Sequence, residues 1–309
     1  MRFTHAALTV GLAVATSLSL VGTASAGGAV EAGRITATDY SAGSPATVAL
    51  DPATGSVTTT FAQAAEDGVL SPKGSRVAYI QRRATCIPQD EGCMYARDLV
   101  IADADGSDRR VLAEGVQPED ATAPYVGHPD WSPSGKRIVY DSPRGLEWIA
   151  TDGTGAEVLT SGSRGTFSPD GRSIAFLKAT SYETPSGWEY GSDVYILDLA
   201  TREVRAVTTD HQALSTPADW SPDGRRVVHS TGHGLRITDV ATGAATEPQW
   251  PMPLSGVQNP VFSPDGNRIA FTAVDDFAGT SGAYVDAADG GNLRVLTDRP
   301  VTLTDWLAN

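Results

Sequence analysis

The chain has 309 residues, with 37 Asp and Glu against 23 Lys and Arg, a net charge of −14, and two cysteines. This acidity excludes nucleic acid and an anionic membrane surface as partners, and it suits a soluble protein or a cationic partner. Two cysteines are too few for a disulfide-built scaffold.

Residues 1–26, MRFTHAALTVGLAVATSLSLVGTASA, combine an early Arg, a long apolar middle and a small-residue end. This is the pattern of a secretory signal, with cleavage expected after Ala26. No Cys lies near that point to carry a lipid anchor, and no later stretch has the apolar length to span a bilayer. Residues 27–309 are therefore expected to form one exported, extracytoplasmic domain, soluble and monomeric, without membrane insertion.

Three short strands come next, GRITATDY (33–40), ATVALDP (46–52) and SVTTTF (56–61). An eleven-residue pattern then recurs as LSPKGSRVAYI (70–80), WSPSGKRIVYD (131–141), FSPDGRSIAFL (167–177), WSPDGRRVVHS (220–230) and FSPDGNRIAFT (262–272). Its Ser-Pro-x-Gly centre is turn chemistry: Pro presets φ, Asp caps local backbone, and Gly accepts positive φ. The motif serines are 61, 36, 53 and 42 residues apart. Repeats near 40–45 residues built of several short strands predict a β-propeller.

Each unit reads as four strands. The first ends in the Trp or Phe, the second carries the V/I-A-aromatic run, and the third ends near an Asp, as in DVYILDL. The fourth is of the EVLTSG kind. The N-terminal strands match the second to fourth of a unit, and VTLTDWLAN at the end supplies the missing first. The prediction is all-β: six four-stranded blades, with the ring closed by the C-terminal strand pairing into the N-terminal blade. Blades 1 to 5 carry the five motifs, and blade 6 joins the two ends.

The repeat resembles that of the TolB-type, WD-repeat-like propeller family over essentially all of residues 27–309. The resemblance implies six blades around a channel and a protein-binding role in the bacterial envelope. It departs from TolB proper, which carries a separate α/β domain before its propeller, because only residues 27–32 separate the signal from the first strand here.

The second-to-third connections read as long in blades 1 (81–97), 3 (178–192) and 5 (273–282), all on the rim opposite the Ser-Pro-x-Gly turns, here called the top. Long loops on a rigid scaffold carry binding. In blade 1, TCIPQDEGC holds Cys86 and Cys93, and an exported protein would join them as a disulfide stiffening that loop. In blade 3, Tyr182, Trp188 and Tyr190 either anchor a partner or fold back over their own blade.

On the first strands, Asp130, Asp219 and Asp305 occupy equivalent positions in every second blade. Such a set either holds a hard cation in the channel, calcium or magnesium, or accepts hydrogen bonds from neighbouring backbone. No cofactor is required. His128 and His211 are candidates for a top-face site, whereas His229 takes the place of Tyr79, Tyr140, Phe176 and Phe271 and reads as core.

No G-x-S-x-G elbow, P-loop or paired CxxC is present. Two readings follow. The first is a non-catalytic module that binds a protein or cell-envelope polymer through its top loops. The alternative is a metal-assisted lyase or hydrolase with its site at the channel mouth.

Overall fold

The structure is a computed structural model that describes residues 33–89, 92–115, 126–184, 187–213, 216–250 and 252–308. The expected signal segment and its cleavage point at Ala26 lie outside the described residues. Among the described residues no helix is long and apolar enough to cross a membrane.

The first three strands, β1 (Arg34–Asp39), β2 (Ala46–Leu50) and β3 (Val57–Gln63), belong to blade 6. Blade 1 is β4 (Ala65–Leu70), β5 (Arg76–Gln89), β6 (Gly92–Asp103) and β7 (Arg110–Ala113). Blade 2 is β8 (Gly127–Trp131), β9 (Arg137–Ser142), β10 (Gly145–Ala150) and β11 (Glu157–Thr160). Blade 3 is β12 (Ser163–Phe167), β13 (Ser173–Thr184), β14 (Gly187–Asp198) and β15 (Val204–Ala206). Blade 4 is β16 (Asp219–Trp220), β17 (Arg226–Thr231), β18 (Gly234–Asp239) and β19 (Ala245–Thr246). Blade 5 is β20 (Leu254–Phe262), β21 (Arg268–Asp275), β22 (Thr280–Ala287) and β23 (Arg294–Thr297), and β24 (Val301–Leu307) completes blade 6.

Six four-stranded antiparallel sheets result, and the sixth has the order β24-β1-β2-β3. Closure runs through the register Arg34↔Leu307, Ile35↔Trp306 and Asp39↔Val301, as the sequence predicts.

The Ser-Pro-x-Gly motif earns its repetition through one hydrogen-bonded turn. In blade 5, Ser263 Oγ accepts from the Arg268 amide at 2.9 Å and donates to Asp265 Oδ1 at 2.6 Å. The Gly266 amide donates to Ser263 O at 2.8 Å, and Gly266 itself has φ 71°, in the left-handed region. The turns also touch round the ring. A Cβ on Gly135 would lie 3.9 Å from Pro72, one on Gly171 3.5 Å from Pro133, and one on Gly266 3.2 Å from Pro222. In blades 2 to 5 each motif glycine therefore faces the proline of the preceding blade's turn, whereas Gly74 of blade 1 faces Arg34 of blade 6.

Each sheet is too thin to bury its own faces, so the core is divided among the six seams. Val69 and Ile80 of blade 1 pack with Trp131 and Tyr140 of blade 2. Leu177 and Ile196 of blade 3 meet Trp220 and Val227 of blade 4. Ala49 and Phe61 of blade 6 meet Leu70 and Tyr79 of blade 1, so the closing seam is as apolar as the others.

The long connections of blades 1, 3 and 5 are not loops. Strand pairing continues through them as two-stranded ribbons, out to Gln89↔Gly92 in blade 1, Thr184↔Gly187 in blade 3 and Asp275↔Thr280 in blade 5. The turns of blades 2 and 4, from Ser142 to Gly145 and from Thr231 to Gly234, are tight. Tall and low blades therefore alternate along blades 1 to 5.

Candidate functional site: the top face and the channel mouth

The channel mouth is built by a repeated irregularity. In β4, β8, β12 and β20 the pairing register slips just before the large apolar residue that opens the motif, Leu70, Trp131, Phe167 or Phe262. The slip puts Asp67, His128, Arg164 and Asn259 in left-handed backbone, with φ of 51°, 47°, 58° and 52°. All four sit three residues before the first residue of their motif, Leu70, Trp131, Phe167 and Phe262. Bulges of this kind re-aim side chains, and non-glycine residues held at positive φ concentrate at sites where the surroundings enforce them. Asp67, His128 and Asn259 line a cavity at the mouth together with Asp130, Thr166 and Thr304.

His128 is held there by side chains on two sides. Its Nδ1 lies 3.0 Å from Oδ2 of buried Asp141, and the Arg164 guanidinium donates to its Nε2. With Nε2 accepting, the proton sits on Nδ1 and is donated to Asp141. The Arg164 backbone amide also donates to Asp141 Oδ1 at 2.6 Å, and Asp67 Oδ2 is 3.9 Å from His128 Nε2. His128 and Asp130 thus share the mouth, but the partner of His128 is Asp141.

Two of the three alternate-blade carboxylates, Asp130 and Asp219, stitch blades together. Asp130 Oδ2 accepts from the Phe167 amide of the next blade at 2.7 Å, and Asp219 Oδ2 from the Phe262 amide of the next at 2.6 Å. Asp305 Oδ1 accepts from its neighbour Trp306 at 2.7 Å. The adjacent tryptophans reach the other way: Trp131 Nε1 donates to Val69 O and Trp220 Nε1 to Thr166 O, each at 3.1 Å in the preceding blade. Each Asp-Trp pair in blades 2 and 4 therefore clamps its blade to both neighbours.

Burial pushes Asp130 up to about 8 and Asp305 up to about 6. Asp219 is raised well above the carboxylate range, by burial first and then by the charge of Asp305. Among the described residues no three His, Cys, Asp or Glu side chains are placed to share one metal ion.

On the blade 3 ribbon the predicted aromatics part company. Tyr182 folds back and stacks on His211, with ring centroids 4.3 Å apart. His211 Nδ1 lies 2.6 Å from Oδ2 of Asp193, which is 1% exposed, and the His211 amide donates to Asp193 Oδ1. Tyr190, on the opposite face of the ribbon by strand alternation, is 85% exposed. The side chain of Trp188 lies outside the described residues. Phe277, on the blade 5 hairpin, is also 85% exposed and joins Tyr190 as a top-rim aromatic. His229 is buried beside Arg236 as a core residue, and burial holds its imidazole below the usual range.

The side chains of Cys86 and Cys93 lie outside the described residues as well. The backbone pairs Cys86 with Tyr95 and Cys93 with Pro88, so the two cysteines are offset by two residues across the ribbon instead of facing each other.

Asp67, Arg164 and Asn259 were readable only as a position, three residues before the start of each motif. Asp141 closes its motif copy where the others carry Ile80, Leu177, Ser230 and Thr272, Asp193 lies outside the motif, and nothing in the sequence links either to its histidine.

No family model matches the chain, and no curated protein matches it. Solved structures do. TolB from Acinetobacter baumannii aligns at 24% identity and TM-score 0.56, covering 73% of this chain and 53% of that one, so the chain spans about half of that protein. A protein of Agrobacterium tumefaciens assigned as TolB aligns at 16% and 0.56, covering 86% and 88%. Oligogalacturonate lyase from Vibrio parahaemolyticus aligns at 15% and 0.50, covering 78% and 71%. At these identities the likeness is one of fold, and in fold the chain is a TolB-type six-bladed β-propeller.

Proposed function

We propose that the protein is an exported, non-catalytic binding propeller that docks a protein or cell-envelope polymer on its top face. The observation that carries this reading is the position of the two aromatic side chains most exposed among the described residues. Tyr190 and Phe277 stand on the raised hairpins of blades 3 and 5, flanking the low turn of blade 4. Exposed aromatics on rigid, strand-paired hairpins lose little freedom on binding and are typical anchors. The signal-like residues 1–26 and the TolB neighbours support an extracytoplasmic setting.

The test is capture from envelope and culture extracts on the immobilised protein. The reading expects a specific partner that is lost when Tyr190 and Phe277 are both changed to Ala. Equal capture by wild type and double variant would refute it.

A second reading, a metal-assisted lyase or hydrolase, is favoured by the Asp141-oriented His128 in a cavity shared with Asp67 and Asp130. The lyase neighbour adds a precedent at the level of fold only. Among the described residues no three His, Cys, Asp or Glu side chains are placed to share an ion, so this reading rests on His128 alone, whereas the binding reading rests on Tyr190 and Phe277 together.

A further inference from the structure

Over the seam between blades 3 and 4 lies an open cleft of about 580 Å³, lined by Tyr190, Ser192, Gln212, Ala213, Gly232 and His233 among others. Its floor is a short strand outside the regular blades. Residue Gln212 bridges in parallel to Ser192 of blade 3, and Ala213 bridges antiparallel to Thr231 of blade 4. The Ala213 amide donates to Ser192 O at 3.0 Å. Just before it, His211 is held at φ 61° by its two bonds to buried Asp193. Gly191 is needed beside it, since a Cβ there would meet His211 O at 2.3 Å. The floor is thus fixed from both sides before any ligand arrives.

Strand alternation decides what faces the cleft. The pairs Leu177↔Val194 and Ala175↔Ile196 pack toward blade 4, against Trp220 and Val227. Continuing outward by two residues at a time gives Ala179↔Ser192 and then Ser181↔Tyr190 on the same face. The exposed Tyr190 ring therefore stands over the cleft, with Gln212 and His233 exposed beneath it.

Among the described residues no Asp, Glu, Lys or Arg lines this cleft. Each of four other clefts on the molecule has formal charges in its lining, such as Arg236 and Glu247, Asp170 and Arg205, Arg226 and Asp289, or Asp67 and Asp130. An ionic ligand would find no counter-charge here. A sugar ring has an apolar C–H face to lay on a tyrosine and hydroxyls that both donate and accept. The Gln212 amide, the Ser192 hydroxyl and the His233 imidazole can answer those hydroxyls in both senses.

We propose that this cleft binds a neutral pyranose unit of a polysaccharide, an assignment that rests on the top-face reading for the location of the partner. Being open, the cleft accepts an internal unit with the polymer running on at either end.

The test is calorimetric titration of the purified full chain with neutral xylo-, cello-, malto-, manno- and chito-hexaoses, with hexagalacturonate as the charged comparison. At least one neutral hexaose should bind with a Kd of about 10 μM to 1 mM, as suits a shallow polar site. Tyr190→Ala and Gln212→Ala should each weaken it by about tenfold or more, while Val295→Thr on the outer edge leaves it unchanged. Lack of binding by every neutral hexaose overturns the proposal, as does unchanged affinity in Tyr190→Ala or equal affinity for hexagalacturonate. A protein captured from extract through Tyr190, with no neutral glycan bound, also overturns it and leaves the top-face reading standing.

Discussion

Asp305 offers a sharp electrostatic test of the channel. Its carboxyl is raised to about 6 by burial, against an ordinary value of 3.8, and its charge in turn raises Asp130 and Asp219. A folded-state pKa above the unfolded one means that the folded form holds the proton more tightly. The associated stability is present below about pH 4 and is lost as pH climbs through 6. A shift of about two units corresponds to roughly 3 kcal/mol at most, and contact with the channel reduces this to about 1–3 kcal/mol. Asp305→Asn removes the charge and keeps an oxygen able to accept from the Trp306 amide, which Asp305 Oδ1 accepts at 2.7 Å. Melting curves of both proteins should be recorded from pH 4 to pH 8. The two should melt together near pH 4, and the variant should melt higher by roughly 3–8 °C at pH 7–8, since 1 kcal/mol moves Tm by about 2–4 °C in a domain of this class. A variant that melts lower at every pH, or by a constant offset, would refute the reasoning.

Four other outcomes follow from the same structure. Because Asp130 and Asp219 already accept backbone amides from the next blade, adding calcium or magnesium at pH 7.5, or chelating them, should leave Tm unchanged; a rise of several degrees that Asp305→Asn abolishes would restore the channel as a cation site. His229 is 1% exposed with its Nε2 unpartnered, so His229→Phe, which restores the aromatic found at Phe176 and Phe271, should stabilise by about 1 kcal/mol in urea titration. Burial lowers the His229 pKa, so wild type should lose stability as pH falls below about 6.5 while the Phe variant does not share that loss. Gly224 has φ 69° and a free approach to Pro169, so Gly224→Ala should cost about 1–2 kcal/mol by chemical denaturation, from backbone conformation alone.

The blades were legible in the sequence because one turn keeps Ser, Pro and Gly each time. Ser263 and Gly266 show why: the Ser263 hydroxyl accepts from the Arg268 amide, and Gly266 holds a positive φ. Closure was legible because Asp305-Trp306 repeats Asp130-Trp131 and Asp219-Trp220, and Trp306 pairs with Ile35. The ribbons were not. KATSYETPSGWEYGSD looks like a connection by its position, yet its β-branched and aromatic residues keep pairing on both sides of Pro-Ser-Gly. The histidine partners were also hidden, because Asp141 reaches His128 and Asp193 reaches His211 through contacts made only once the blades stand side by side. Tyr182 and Tyr190 read as one aromatic cluster, but the two-residue period of the strand sends them to opposite faces.

The most direct test of a top-face binding surface is site-specific photo-crosslinking in the producing cells or their culture. A benzophenone side chain would replace Tyr190, Phe277, Val158 on the outer edge or Ser134 on the bottom rim. The account predicts defined adducts from positions 190 and 277 and none from 158 or 134. Adducts confined to 158 or 134 would contradict it.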